Sequence, residues 1–195
     1  MRRKKEMDDA LVMLFGLGAI ALIITSIICL ALYLIDAIGK YKYLKVRNYP
    51  NAWFAFIPFL NTYGTVEATY GNVENIKVLG IKLPAIVVKL YPVILAVIGG
   101  ITAKIDPISS ICSFVISVLT IALGVVIFKD IMERIECPVS TGFAILANII
   151  TIVGSIKLLA DTGRLQPGQF DYMTDTRILA SQAGSQGPQG PVDVQ

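Results

Sequence analysis

The sequence has no histidine, only three cysteines and one tryptophan, and charged residues fill just 16% of its 195 positions. Without His there is no Ser–His or Cys–His dyad and no imidazole metal ligand. Three cysteines cannot build a four-cysteine zinc site, and an odd number makes no disulfide framework. No glycine-rich phosphate loop, paired catalytic carboxylates or metal-ligand cluster takes their place. The expectation is a protein that is not an enzyme, with no metal and no cofactor. The scarcity of charge excludes something else. With 55% hydrophobic residues and a mean hydropathy of +0.69, the chain cannot wrap its apolar surface in one water-soluble core. Part of it must face lipid.

The apolar residues fall into long runs. Residues 10–35 form 26 positions without a charge, where about 20 suffice to cross a bilayer. The basic start "MRRKK" resembles a signal peptide, but the run is too long and continues into "DAIGKYKYLKVR" without a cleavage site. It reads as an uncleaved signal-anchor helix. Further runs cover about 83–103, 109–128 and 141–160. Together with residues 10–36 they predict an all-α, integral membrane four-helix bundle. A transmembrane barrel would need alternating ten-residue segments, which are missing. With four spans, seven Lys and Arg residues flank one side and eight the other, so the positive-inside rule sets no orientation. Residues 1–9 read as a charged tail. Residues 161–195, ending in "SQAGSQGPQGPVDVQ", read as a polar, disordered one.

Ten of the 17 aromatics lie between Tyr33 and Tyr70. Tyr41, Tyr43, Trp53, Phe56 and Tyr63, with Ile57, Pro58 and Asn61, are expected to anchor the segment 37–82 at the interface. The apolar run 52–60 is too short to span, and Pro58 interrupts it. Trp53, Phe56, Ile57 and Leu60 share one helix face, which predicts a short interfacial or re-entrant helix or turn. After it, Tyr63, Val66, Tyr70 and Val73 have helical spacing. The interleaved basic residues fit lipid headgroups better than nucleic acid.

The stretch "YKYLKVRNYPNAWFAFIPFLNTYGTVEATYGN" resembles a family of small, uncharacterised four-span bacterial membrane proteins. Trp53, Ala55, Ile57, Pro58, Asn61 and Tyr63 match its Trp-x-Ala-x-Ile-Pro core and following Asn and aromatic. The resemblance covers about residues 10–160. It implies a multi-pass place in a bacterial plasma membrane and implies no activity. The charged start and the Gln/Gly/Pro tail depart from that pattern.

Ionisable groups within apolar runs are functional candidates. Lys89 lies three residues before Pro92 and has two readings, the lining of a cavity or a side chain snorkelling to the interface. Lys157 is expected to snorkel. Asp36 and Lys40, at i and i+4, read as a solvated pair. Asn148, deep in its run, can bind a solute or another helix. Small residues recur at helical spacing as Gly18, Ala21, Thr25 and Cys29, as Ser113, Ser117, Thr120 and Gly124, and as Ala144, Ala147, Thr151 and Ser155. Such stripes let helices approach closely. Cys137 lacks an activating base, and Asp130, Glu133 and Glu136 read as a solvated face. Two functions follow. One is a membrane protein acting through lipid, protein-partner or self-association contacts. The alternative is a small oligomeric transporter or channel component, with Lys89, Pro92 and Asn148 as its polar site.

Overall fold

The charge-free run sets the first helix, but the helix does not end with it. In the computed structural model, which describes residues 2–78, 80–102 and 108–175, α1 runs from Arg2 to Val46. Lys40, Lys42, Leu44 and Lys45 are good helix formers and no Pro lies among them, so nothing stops the helix at the edge of the apolar run. It stops where Asn48 takes a left-handed φ of 55°. There the Tyr49 amide donates to Leu44 O and the Asn48 amide to Lys45 O, at 2.8 and 3.1 Å. This is the paired closure of a Schellman motif, with Asn accepting the left-handed position that usually falls to Gly.

A 3-10 helix (Ala52–Phe56), α2 (Leu60–Tyr70), a hairpin of β1 (Asn75–Val78) and β2 (Ile81–Pro84), α3 (Ala85–Lys89) and α4 (Tyr91–Thr102) follow. Then come α5 (Ile108–Arg134), α6 (Thr141–Ile149) and α7 (Thr151–Thr162). The chain is thus mainly helical. Among the described residues, two helices are long and apolar enough to cross a membrane, Phe15–Val46 within α1 and Ser110–Arg134 within α5, giving up to three spans if the bent pair α6–α7 counts as one.

Several expectations change here. The run 83–103 is not one continuous helix. Its start completes the antiparallel hairpin, with Ile76 opposite Leu83 and Val78 opposite Ile81. Gly80, at φ 84°, takes the turn position that disfavours a side chain. The helical part then breaks at Leu90, and Pro92 sits in the first turn of α4, where a missing amide costs nothing. The run 141–160 is not a straight span either, because α6 and α7 meet at 119°. The segment 161–175 is not loose. Gly168, Phe170 and Tyr172 donate to the carbonyls of Lys45, Val46 and Arg47 at 2.8–3.0 Å, laying it along the end of α1. The remainder of the expected tail, 176–195, lies outside the described residues, as do Ala103 and Lys104.

The core gathers at one end of the long helices. Tyr43, Leu44, Val66, Val78, Val88, Met132 and Ile135 are almost completely buried there. Amid them lies Arg47, only 1% exposed. Its Nε donates to Ala68 O at 2.9 Å, and its Nη2 pairs with Asp175 Oδ2 at 3.0 Å. Arg134, at the end of α5, reaches Asp175 Oδ1 at 3.3 Å. The C-terminal ends of α1 and α5 therefore sit side by side. At the opposite extreme, α1 exposes Phe15, Leu17, Ile20, Leu22 and Ile24 on all its faces.

A buried charge that loses its partner is costly, about 3–5 kcal/mol. Arg47→Met in detergent-solubilised protein is expected to lower unfolding stability by about that amount, against little change for the exposed Lys77→Met. Equal denaturation midpoints for the two variants would contradict the role given to Arg47.

Candidate functional site: a polar cavity at a broken helix

The break between α6 and α7 has a local cause. Ile149, Ile150, Thr151, Ile152 and Val153 are all β-branched, which weakens a helix. Ile150 leaves helical geometry at φ −111° and ψ 81°. Gly154 then lets the two legs close on each other: a Cβ there would lie 3.1 Å from both Ala147 Cβ and Ala147 O. Ser140 caps the entry, its hydroxyl accepting from the Phe143 amide at 3.2 Å.

The legs return to the level from which they start. Lys129 of α5 donates to Thr141 at the start of α6, at 3.0 Å. At the end of α7, a Cβ on Gly163 would lie 3.6 Å from Lys42 Nζ of α1. Lys129 and Lys42 both stand five residues before the Arg47 and Arg134 level. The pair is a hairpin of helices, entering and leaving at the same end of the molecule.

A cavity of about 290 Å³ opens beside the fold-back. Asn148 and Thr151 line it on either side of the break, with Thr120 and Gly124 of α5, Asp36 and Lys40 of α1, and Thr62 and Tyr91. Asn148 donates from Nδ2 to Ala144 O at 2.9 Å, which turns its carbonyl oxygen to Gly124. Asp36 and Lys40 pair at 2.7 Å as their spacing predicts. They are not a solvated surface pair, because the Ser155 hydroxyl donates to Asp36 Oδ1 at 2.9 Å and holds the carboxylate against α7. The charges of the pair offset each other, so the cavity is neutral, and Val66, Ile121, Ile127, Phe128, Ile131 and Leu158 make the rest of its wall apolar. At the break the Ile150 amide donates to Leu146 O and the Val153 amide to Ile150 O, at 2.8 and 2.9 Å, and the other terminal carbonyls and amides have no partner within their own helices. Together these groups can hydrogen-bond a small polar molecule from several sides.

Of the residues expected at a polar site, only Asn148 lines this cavity. Tyr91 does, but its neighbour Pro92 does not. Lys89 neither snorkels nor lines the cavity. It is 6% exposed, pairs with Glu67 at 3.4 Å and lies 5.2 Å from the centroid of the Tyr63 ring. Glu67 also accepts from the Tyr49 hydroxyl at 2.7 Å. Burial, then that hydrogen bond and the Glu67 charge, push the Tyr49 hydroxyl far above its usual pKa. Lys157 is half-buried and pairs with Asp161 at 2.7 Å. Asp130 accepts a short hydrogen bond from Tyr70, and no metal-binding cluster occurs among the described residues.

The aromatic anchor set divides. Trp53, Phe56, Ile57 and Pro58 are exposed on the 3-10 helix and the turn after it, while Ala52 and Ala55 face inward. Tyr41 is half-buried against Phe56, with ring centroids 5.4 Å apart, and Tyr63 is half-buried beside Lys89. Tyr43 and Asn61 are buried, and Tyr43 meets the Thr69 hydroxyl at 2.8 Å. The stripes on α5 and on α6–α7 meet at the cavity through Gly124, Ala147, Thr151 and Ser155. The α1 stripe faces outward, its Thr25 hydroxyl spent on Ala21 O at 2.8 Å.

Comparison with family models, curated proteins and solved structures finds no match to this chain.

Gly154→Val is expected to wedge the legs apart, at a cost of about 1–3 kcal/mol. Gly142→Ala, whose Cβ meets open space, serves as the control. Thermal unfolding in detergent reads both; a wild-type midpoint for Gly154→Val would mean that the legs do not close as described.

Proposed function

We propose that this is a non-enzymatic integral membrane protein that binds a small, uncharged polar solute in the cavity at the α6–α7 break, as a component of a transporter or channel. The observation that carries the reading is the fold-back itself. Backbone groups freed by a broken helix are tolerated at membrane depth where they line a cavity, and such breaks border solute sites in transporters. Asn148 and the hydroxyl oxygens of Thr120, Thr151 and Thr62 face the cavity without net charge; those of Thr120 and Thr62 already donate to Ile116 O and Asn61 Oδ1 and so offer acceptors. A self-assembled pore of several copies suits so small a chain.

Flux of glycerol and urea into proteoliposomes, followed by light scattering, tests the reading. The wild-type protein is expected to exceed empty vesicles, and Asn148→Leu to lose most of that excess. Flux equal to that of empty vesicles for both solutes and for both proteins would overturn it.

A second reading, action through contacts with lipid or a protein partner, is favoured by the length of α1 that stands exposed on all faces. Crosslinking through α1 that captures a second membrane protein would support that reading.

The fold-back also bears on orientation. Eleven of the 17 Lys and Arg residues, those described between Lys40 and Arg164, lie at the end of the molecule that holds the core. By the positive-inside rule that end is cytoplasmic. Cys137 lies there, after the turn that ends α5. An impermeant maleimide is expected to label Cys137 in inside-out vesicles and not in intact cells. Burial, then the Asp161 charge, hold its thiol above the ordinary value. The thiolate is the reactive form, so labelling should keep accelerating as pH rises beyond about 8.5–9. Labelling of Cys137 in intact cells would reverse the orientation.

A further inference from the structure

Five of the cations at the core end have a carboxylate partner. Lys40 pairs with Asp36, Lys89 with Glu67, Lys157 with Asp161, and Arg47 and Arg134 with Asp175. Lys42 and Lys45 have no carboxylate within ion-pair distance among the described residues. Both line a groove of about 400 Å³ between the end of α1 and the chain leaving α7, walled by Tyr41, Gly163, Leu165 and Pro167. Lys45 Nζ lies over the Tyr41 ring, 5.8 Å from its centroid, a cation–π contact that leaves it without a counter-ion. Lys42 Nζ stands at Gly163, where the missing side chain leaves room beside it.

What lies along the helix from these lysines points to the ligand. Ile38 and Leu34 precede Lys42 by four and eight residues, so all three share one face of α1. Both are exposed, at 39% and 43%. The face therefore presents ammonium groups at the helix end and an apolar strip leading away along the lipid-crossing part of α1. A small anion such as free phosphate would use only the first. A phospholipid with a negatively charged headgroup would use both, its phosphate between Lys42 and Lys45 and its chains along Ile38 and Leu34. Unpaired basic residues at the cytoplasmic ends of membrane helices attract such lipids, at about 1 kcal/mol for each Lys near the surface.

We propose that the groove between α1 and the α7 exit is a binding site for the headgroup of an anionic phospholipid, with Lys42 and Lys45 as its ligating residues. The inference rests on the placement of α1 in a membrane and is independent of the solute cavity.

The test is binding of phosphatidylglycerol, phosphatidylcholine and glycerol phosphate to the full chain in detergent micelles, read by native mass spectrometry and by thermal shift. Phosphatidylglycerol is expected to bind more tightly than phosphatidylcholine. Lys42→Gln and Lys45→Gln should each weaken it about fivefold, and the double variant about 30-fold. The single variants keep the test intact if the double variant does not fold. Lys77→Gln with Lys82→Gln, which removes the facing pair on the exposed hairpin, should leave binding unchanged. Equal binding by both lipids would overturn the proposal. So would equal binding by glycerol phosphate, which lacks the chains, or unchanged affinity in the Lys42 and Lys45 variants.

Discussion

A guanidinium withdrawn from water must be given partners, and Arg47 draws the rest of the molecule around that requirement. It sits at the exit of the first helix with 1% of its surface exposed. The Ala68 carbonyl of α2 takes one donor, and Asp175, 128 residues along the chain, takes the charge. Asp175 in turn draws in Arg134 from the end of α5. Removing two charges from water is expensive unless the geometry and the remaining hydrogen bonds compensate. Here the two Arg residues share one carboxylate, and the segment that carries it must lie along the end of α1. The backbone bonds from Gly168, Phe170 and Tyr172 to Lys45, Val46 and Arg47 hold it there.

Once the ends of α1 and α5 are level, the space between them determines what α6 and α7 can do. Thr141 starts at Lys129 and Gly163 finishes at Lys42, so the chain must turn back within nine residues of helix. The β-branched run 149–153 gives way at Ile150, and Gly154 permits the tight crossing. The two legs cannot fill the gap against α5 and α1 completely, because the turn takes up width that a straight helix would not. The cavity beside the break is what remains. Its polar groups gather at the break, where the helix ends and small hydroxyl residues that allow the turn face it, against walls that are mainly apolar.

The cavity lies along α7 from Thr151 to Leu158 and the lysine groove at its end, by Thr162 and Gly163, and α1 contributes to both. Asp36 and Lys40 face the cavity, while Lys42 and Lys45 face the groove. A helix advances about 100° per residue, so neighbouring lysines in one basic stretch are dealt out to different surroundings. One becomes half of a neutral pair latched to Ser155, and two remain unpaired.

Much could be read without the structure. The charge-free run 10–35, the span within α5, the short element at Trp53 and the helix through Tyr63 and Tyr70 are all written in local pattern. Local pattern also showed the Asp36–Lys40 spacing and singled out Asn148. The β-hairpin was visible in principle, since "NIKVLGIKLP" alternates around a turn at Gly80, but the apolar run beginning at Leu83 concealed it. The fate of Lys89 was not visible, because Glu67 and Tyr63 are brought to it by α2 and not by neighbouring residues. Nor was the docking of 163–175, whose polar composition resembles a free tail. Sequence alone determined which segments are apolar and which residue types are missing, because hydropathy and residue type are local properties. Only the tertiary structure decided that a run long enough to cross would turn back, and which charges would meet. Those outcomes depend on where two distant helix ends stand relative to each other.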